Sequence, residues 1–153
     1  MRLFFILAML IASNSYAKPL TWTYDSVSCT ASTKSLDVNG HQMTVDVNID
    51  SIGFYTNSVY TQDVHQGGVV LFEGKRLPTT FQTNNAIVIG SYNKDTKRAF
   101  EYIIKNLLDT SSWSTFEVVA LYPNGYEDLK WLSTGYKVGF STAWSKVQSC
   151  HDW

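Results

Sequence analysis

Leu36-Asp37-Val38-Asn39-Gly40-His41-Gln42-Met43-Thr44-Val45-Asp46-Val47-Asn48-Ile49-Asp50 carries the cleanest strand pattern in the chain. Asn39-Gly40 accepts the positive φ angles of a tight type I′ turn, so the segments on either side pair as a hairpin. Beyond the turn apolar and polar residues alternate. Met43, Val45, Val47 and Ile49 fall on one side, and Thr44, Asp46, Asn48 and Asp50 on the other. A period of two is a strand with one core face and one wet face.

Towards the N-terminus, Leu20-Thr21-Trp22-Thr23-Tyr24 alternates in the same way. Val27-Ser28-Cys29-Thr30-Ala31 continues in shifted phase, which a bulge near Asp25-Ser26 would accommodate. Towards the C-terminus, Ile52 to Tyr60 reads as a strand, the polar run Thr61 to Gly68 as a loop, and Val69 to Glu73 as a strand. Glu73-Gly74-Lys75 turns into a strand from Arg76 to Thr83. Pro78 within it has no amide to donate and points to a sheet edge or a bulge. Ala86 to Tyr92 is apolar on both faces, the pattern of a central strand under a helix.

The period then changes. Ala99, Phe100, Ile103, Ile104, Leu107 and Leu108 form one helical stripe, predicting a helix over about 95–109 with Asp95 as its cap. Thr115 to Tyr122 and Tyr126 to Ser133 form a hairpin about Pro123-Asn124-Gly125. A last helix over about 135–149, capped by Thr134, would line up Tyr136, Phe140, Ala143, Trp144, Val147 and Cys150. Gly139 inside that helix would cost ~1 kcal/mol relative to alanine. The order is that of an α+β fold, a mostly antiparallel sheet of about eight or nine strands with two helices packed on it.

The first seventeen residues read as an address. Arg2 supplies a charge, Leu3 to Ala12 an apolar run of ten, and Ser15-Tyr16-Ala17 a small-x-small exit. That is the layout of a secretory signal peptide, and ten apolar residues fall short of the ~20 a spanning helix needs. Cleavage after Ala17 would leave 18–153, one exported globular domain of 136 residues. With Arg2 gone, eleven basic residues face thirteen acidic ones, a net charge of about −2. The charges are scattered, so neither nucleic acid nor an anionic membrane is expected as a partner. The chain has no Asn-x-Ser/Thr sequon, which favours a bacterial periplasmic or secreted protein.

Export also bears on Cys29 and Cys150, the only cysteines. Two cysteines in an oxidising compartment, with none left over, are expected to pair. Two free or buried thiols are the alternative.

Chemistry-bearing patterns are few. His41, His65 and His151 show no metal-ligand spacing. Asp63-Val64-His65 sets a carboxylate near an imidazole, the minimal layout of an acid/base pair, and equally that of a solvated loop. Asp46-x-Asn48-x-Asp50 imitates the opening of a calcium loop, but Ser51 and Asn57 stand where that loop needs glycine and glutamate. No nucleophile elbow, phosphate loop or dinucleotide fingerprint is present, so no cofactor and no metal are expected. Four of the five tryptophans lie between 113 and 153. Trp22, Trp131 and Trp144 are in phase with their elements' apolar sets and read as core. Trp113 and Trp153 are the candidates for exposed binding anchors.

Trp22 a few residues before Cys29-Thr30-Ala31, and Leu132-Ser133-Thr134-Gly135-Tyr136 leading to Ala143 and Cys150, resemble small exported bacterial proteins of the invasion-associated locus B type. The resemblance is confined to the two ends of the chain. It implies a β-rich periplasmic or secreted protein linked to host contact, with no catalytic residues to carry over. Together these features predict a non-enzymatic exported protein that binds another protein or an envelope component. An immunity or inhibitor protein against an envelope-directed toxin or hydrolase fits the same size and frame. So does a small hydrolase whose residues meet only in space.

Overall fold

The computed structural model describes residues 21–37, 42–56, 69–82, 86–110, 115–123 and 128–151. In order these form β1 (Thr23–Asp25), β2 (Thr30–Asp37), β3 (Gln42–Val47), β4 (Ser51–Thr56), β5 (Val69–Phe72), β6 (Lys75–Leu77), β7 (Phe81–Gln82), β8 (Ala86–Gly90), α1 (Lys94–Leu108), β9 (Thr115–Pro123), β10 (Asp128–Tyr136) and α2 (Phe140–Cys150). The α+β class and the two helices expected from the sequence are present. Every strand pairing among the described residues is antiparallel.

Nine strands lie on one path, β6-β5-β9-β10-β2-β3-β4-β8-β7, with β1 alongside β2. Laid flat at ~4.8 Å per strand, the ends of that path would stand about 38 Å apart. Yet β6 and β7 are separated only by Pro78-Thr79-Thr80, a link that reaches at most ~14 Å. The sheet is therefore rolled until its two ends meet. The segment expected as one strand from Arg76 to Thr83 is two strands at opposite ends of the path, and Pro78 is where the chain changes sides. Thr80 anchors the far side. Its amide donates to Val88 O at 2.8 Å, and its hydroxyl accepts from Gly90 N at 2.8 Å. On the opposite side β2 and β10 pair, among the described residues, at Leu36 with Thr134 and Asp37 with Ser133, beside a 2.7 Å hydrogen bond from Ser35 Oγ to Thr134 O.

The roll has its core inside. Val45, Val47, Ile52, Phe54, Ile87 and Ile89 line one half, and Val70, Phe72, Phe116 and Val118 the other. α1 packs on β8, while its Tyr102 meets Phe72 of β5 edge-on with centroids 6.4 Å apart. Its cap is Asn93, not Asp95. The Asn93 side chain accepts from the amides of Asp95 and Thr96, both at 3.0 Å, and Thr96 Oγ1 reciprocates with Asn93 N. That closes a capping box. At the other end Lys137, buried to 4 % exposure, donates from Nζ to Asp109 O at 3.2 Å. An ammonium there suits the negative end of the helix dipole.

Three further expectations need correction. The shifted phase at Val27–Ala31 is not a bulged strand but a hairpin. Asp25 Oδ1 accepts from Val27 N and Oδ2 from Ser28 Oγ, both at 2.9 Å. These bonds, the Val27 amide first, hold the Asp25 carboxyl below its ordinary range. The turn they nucleate leaves Val27 93 % exposed and puts Cys29 at φ +51°. Ile49 is not on the core face of β3 and is 37 % exposed, because Asn48 Oδ1 accepts from Asp50 N, Ser51 N and Ser51 Oγ and turns the chain there. Those bonds also make the Asp46-x-Asn48-x-Asp50 pattern a strand end with a tight turn. Third, α2 begins at Phe140 rather than 135. β10 continues paired with β9 as far as Tyr136, so Thr134 is a strand residue and not a cap. Gly139, at φ +85°, makes the bend that strand-to-helix passage requires. Trp22 braces it, its indole Nε1 donating to Tyr136 O at 2.8 Å.

One core atom is in the wrong company. Thr33, 3 % exposed, keeps its hydroxyl among apolar side chains with no hydrogen-bond partner. Thr33→Val fills the same space without that group and should stabilise the fold by about 1–2 kcal/mol. A rise in the thermal melting midpoint checks this; a fall would show that the hydroxyl is satisfied.

Candidate functional site

The structure joins one of the residue pairs singled out in the sequence. Cys29 and Cys150 form a disulfide, with Cα atoms 5.9 Å apart across 121 residues of sequence. It ties the β1–β2 turn to the end of α2, and both residues are half-buried. Trp113, Trp153, Asp63 and His65 lie outside the described residues, as do His41 and the side chain of Trp131. His151 is exposed just past α2. Among the described residues no three His, Cys, Asp or Glu side chains come together as a metal site. No helix among them is long and apolar enough to cross a membrane.

Two features that the sequence reading passed over stand out instead. The first is on the outer face of β2, β3, β4 and β8, opposite the core. Register aligns Ser32 with Asp46, Asp46 with Gly53 and Thr44 with Tyr55. Ser32 Oγ donates to Asp46 Oδ1 at 2.6 Å. The Tyr55 ring folds back over Gly53 so closely that a Cβ there would lie 2.6 Å from its Cε2 and Cζ. Tyr92 does the same over Gly90, where a Cβ would meet its Cδ2 at 2.8 Å. Gly90 is opposite Ser51, which sets it diagonally across from Gly53, about 7–8 Å away. Two phenol rings thus cover diagonally placed positions of the same sheet face, 39 % and 72 % exposed. Partial burial, then the Asp46 charge, pushes the Tyr55 hydroxyl pKa up, so it remains a donor well past neutral pH. The sequence signal was the repeated Gly-x-Tyr at 53–55 and 90–92.

The second feature is a cavity of about 350 Å³ under the Pro78 crossover, between β6 and the first turns of α1. Leu77, Pro78 and Ala99 form its floor, and Lys75, Arg76, Arg98 and Asp95 its rim. Lys75 Nζ sits 4.0 Å from the Tyr102 ring centroid. Nothing local in the sequence marks this site, because the roll of the sheet brings residues 75–78 and 95–99 together. A comparable apolar groove between the helices is lined by Phe100, Ile104, Leu108 and Trp144. Comparison of the chain with family models, with curated proteins and with solved structures finds no match.

Proposed function

We propose that this is an exported bacterial protein of the periplasm or cell exterior that acts by binding, not by catalysis, and that its partner is a saccharide-containing envelope component. The Tyr55–Tyr92 face carries the reading. Sugar rings present polarised C–H bonds that stack on the negative face of an aromatic ring. Their hydroxyls donate hydrogen bonds to neighbouring carboxylates and exchange them with neighbouring hydroxyls. Both chemistries lie on one outer sheet face here, in the two tyrosines and in Asp46, Ser32 and Thr44. Rings that served only to shield glycine backbone would not need an acceptor cluster beside them. The signal-like leader, the disulfide and the resemblance of the chain ends to exported invasion-associated locus B proteins support the same compartment.

The test is retention of the oxidised protein on purified peptidoglycan and on immobilised polysaccharides. Tyr55→Ala and Tyr92→Ala should each weaken retention by about tenfold, the effect of removing one aromatic anchor, with melting curves recorded as a control on folding. Retention that survives both substitutions, or no retention on any glycan, would rule out the saccharide reading.

A further inference from the structure

We propose that the cavity under the Pro78 crossover is a second, separate binding site, for a small organic carboxylate with an apolar body. Its volume of about 350 Å³ lies at the small end of the ~300–1,000 Å³ usual for ligand pockets. The floor sets the ligand's body. Leu77 and Ala99 are buried, at 3 % exposure each, and the Pro78 ring completes an apolar base. A small hydrated anion such as phosphate gains nothing from such a floor.

The rim sets the charge. Three cations, Lys75, Arg76 and Arg98, face one carboxylate, Asp95. Among the described residues no acidic side chain pairs with either guanidinium. Lys75 is positioned by its place over Tyr102, 4.0 Å from the ring centroid, and Tyr102 is in turn fixed edge-on against Phe72. Arg76 comes from the strand that ends at the crossover and Arg98 from the helix, so a carboxylate between them would bridge the two walls. Arginine forks match carboxylate geometry. Low dielectric at an apolar floor strengthens the attraction over that in open solvent. The placement is also that of ligand sites in rolled sheets, at the mouth where the strands end.

The experiment is calorimetric titration of the oxidised protein with octanoate, octanol, octylammonium and inorganic phosphate. Octanoate should bind, more tightly than octanol by at least about tenfold, and its affinity should fall as salt rises. The double variant Arg76→Gln/Arg98→Gln should lose about tenfold or more in octanoate affinity. Asp95→Asn should bind octanoate about threefold more tightly, because it removes the one like charge on the rim. That gain separates a site from a general loss of structure. No octanoate binding would overturn the proposal, as would equal binding of octanol, preference for octylammonium, displacement by equimolar phosphate, or unchanged affinity in the double variant.

Discussion

Reduction of the Cys29–Cys150 disulfide lowers the melting midpoint of the protein by about 15 °C. The bond closes a loop of 121 residues. In the unfolded chain a closure of that length removes conformational entropy worth roughly 4–5 kcal/mol. At ~2 cal/mol/K of unfolding entropy per residue, a domain of this size loses about 15 °C for that sum. It is comparable with the whole net stability of a modest domain. The bond also has a local task. Its two anchors are a turn residue at φ +51° and the last residue of α2, so cutting it frees both elements together. Thermal melts with and without reductant, and of Cys29→Ser/Cys150→Ser, give the number. A melt that does not move would mean that the unfolded chain is not constrained by the bond.

Phe140→Ala costs about 3–5 kcal/mol, the range for emptying a fully buried aromatic site. Phe140 is the first residue of α2 and 0 % exposed. Its ring meets Trp22 edge-on at 4.7 Å and stacks against Trp144 at 6.1 Å, and Trp144 in turn meets Phe100 of α1 at 6.2 Å. Removing it breaks the chain of rings that joins Trp22, just before β1, to α2 and α1. Phe140→Leu keeps most of the volume and should cost about 1.5 kcal/mol or less. Chemical denaturation of both variants gives the two values, and near-ultraviolet circular dichroism follows the tryptophans. Equal stability of Phe140→Ala and the parent would show that the rings do not carry the junction.

What was legible in the sequence was what periodicity and short turns encode. β3 and α1 announce themselves because their apolar residues recur at periods of two and of about 3.6. The β9–β10 hairpin follows from its turn. The errors fall where a single side chain overrode the pattern. Asp25 and Asn48 each capture backbone amides and stop a strand that alternation would have continued. Gly139 reads as a flaw inside a helix until β10 is seen to run on to Tyr136. Pro78 signalled an edge, but not that both ends of the sheet would meet across it. The disulfide was legible from the count of two cysteines and the export expected from the leader-like N-terminus. The candidate sites were not, because each is a product of register or closure. Tyr55 and Tyr92 become neighbours only through the β4–β8 pairing, and Arg76 and Arg98 only through the roll.

The Pro78 crossover bears on how the protein behaves in a crowd. An open sheet ends in rows of unpaired amides and carbonyls that can template another chain. Here the terminal strands are three and two residues long and run into each other through a residue with no amide to offer. β1, the extra strand beside β2, is three residues long. Reduction or heat that loosens α2 would therefore uncover apolar surface while leaving the two ends of the strand path joined at Pro78. Closure at Pro78 thus shields the two ends of the strand path from templated pairing, and that shielding is set by the order of the strands and not by the disulfide.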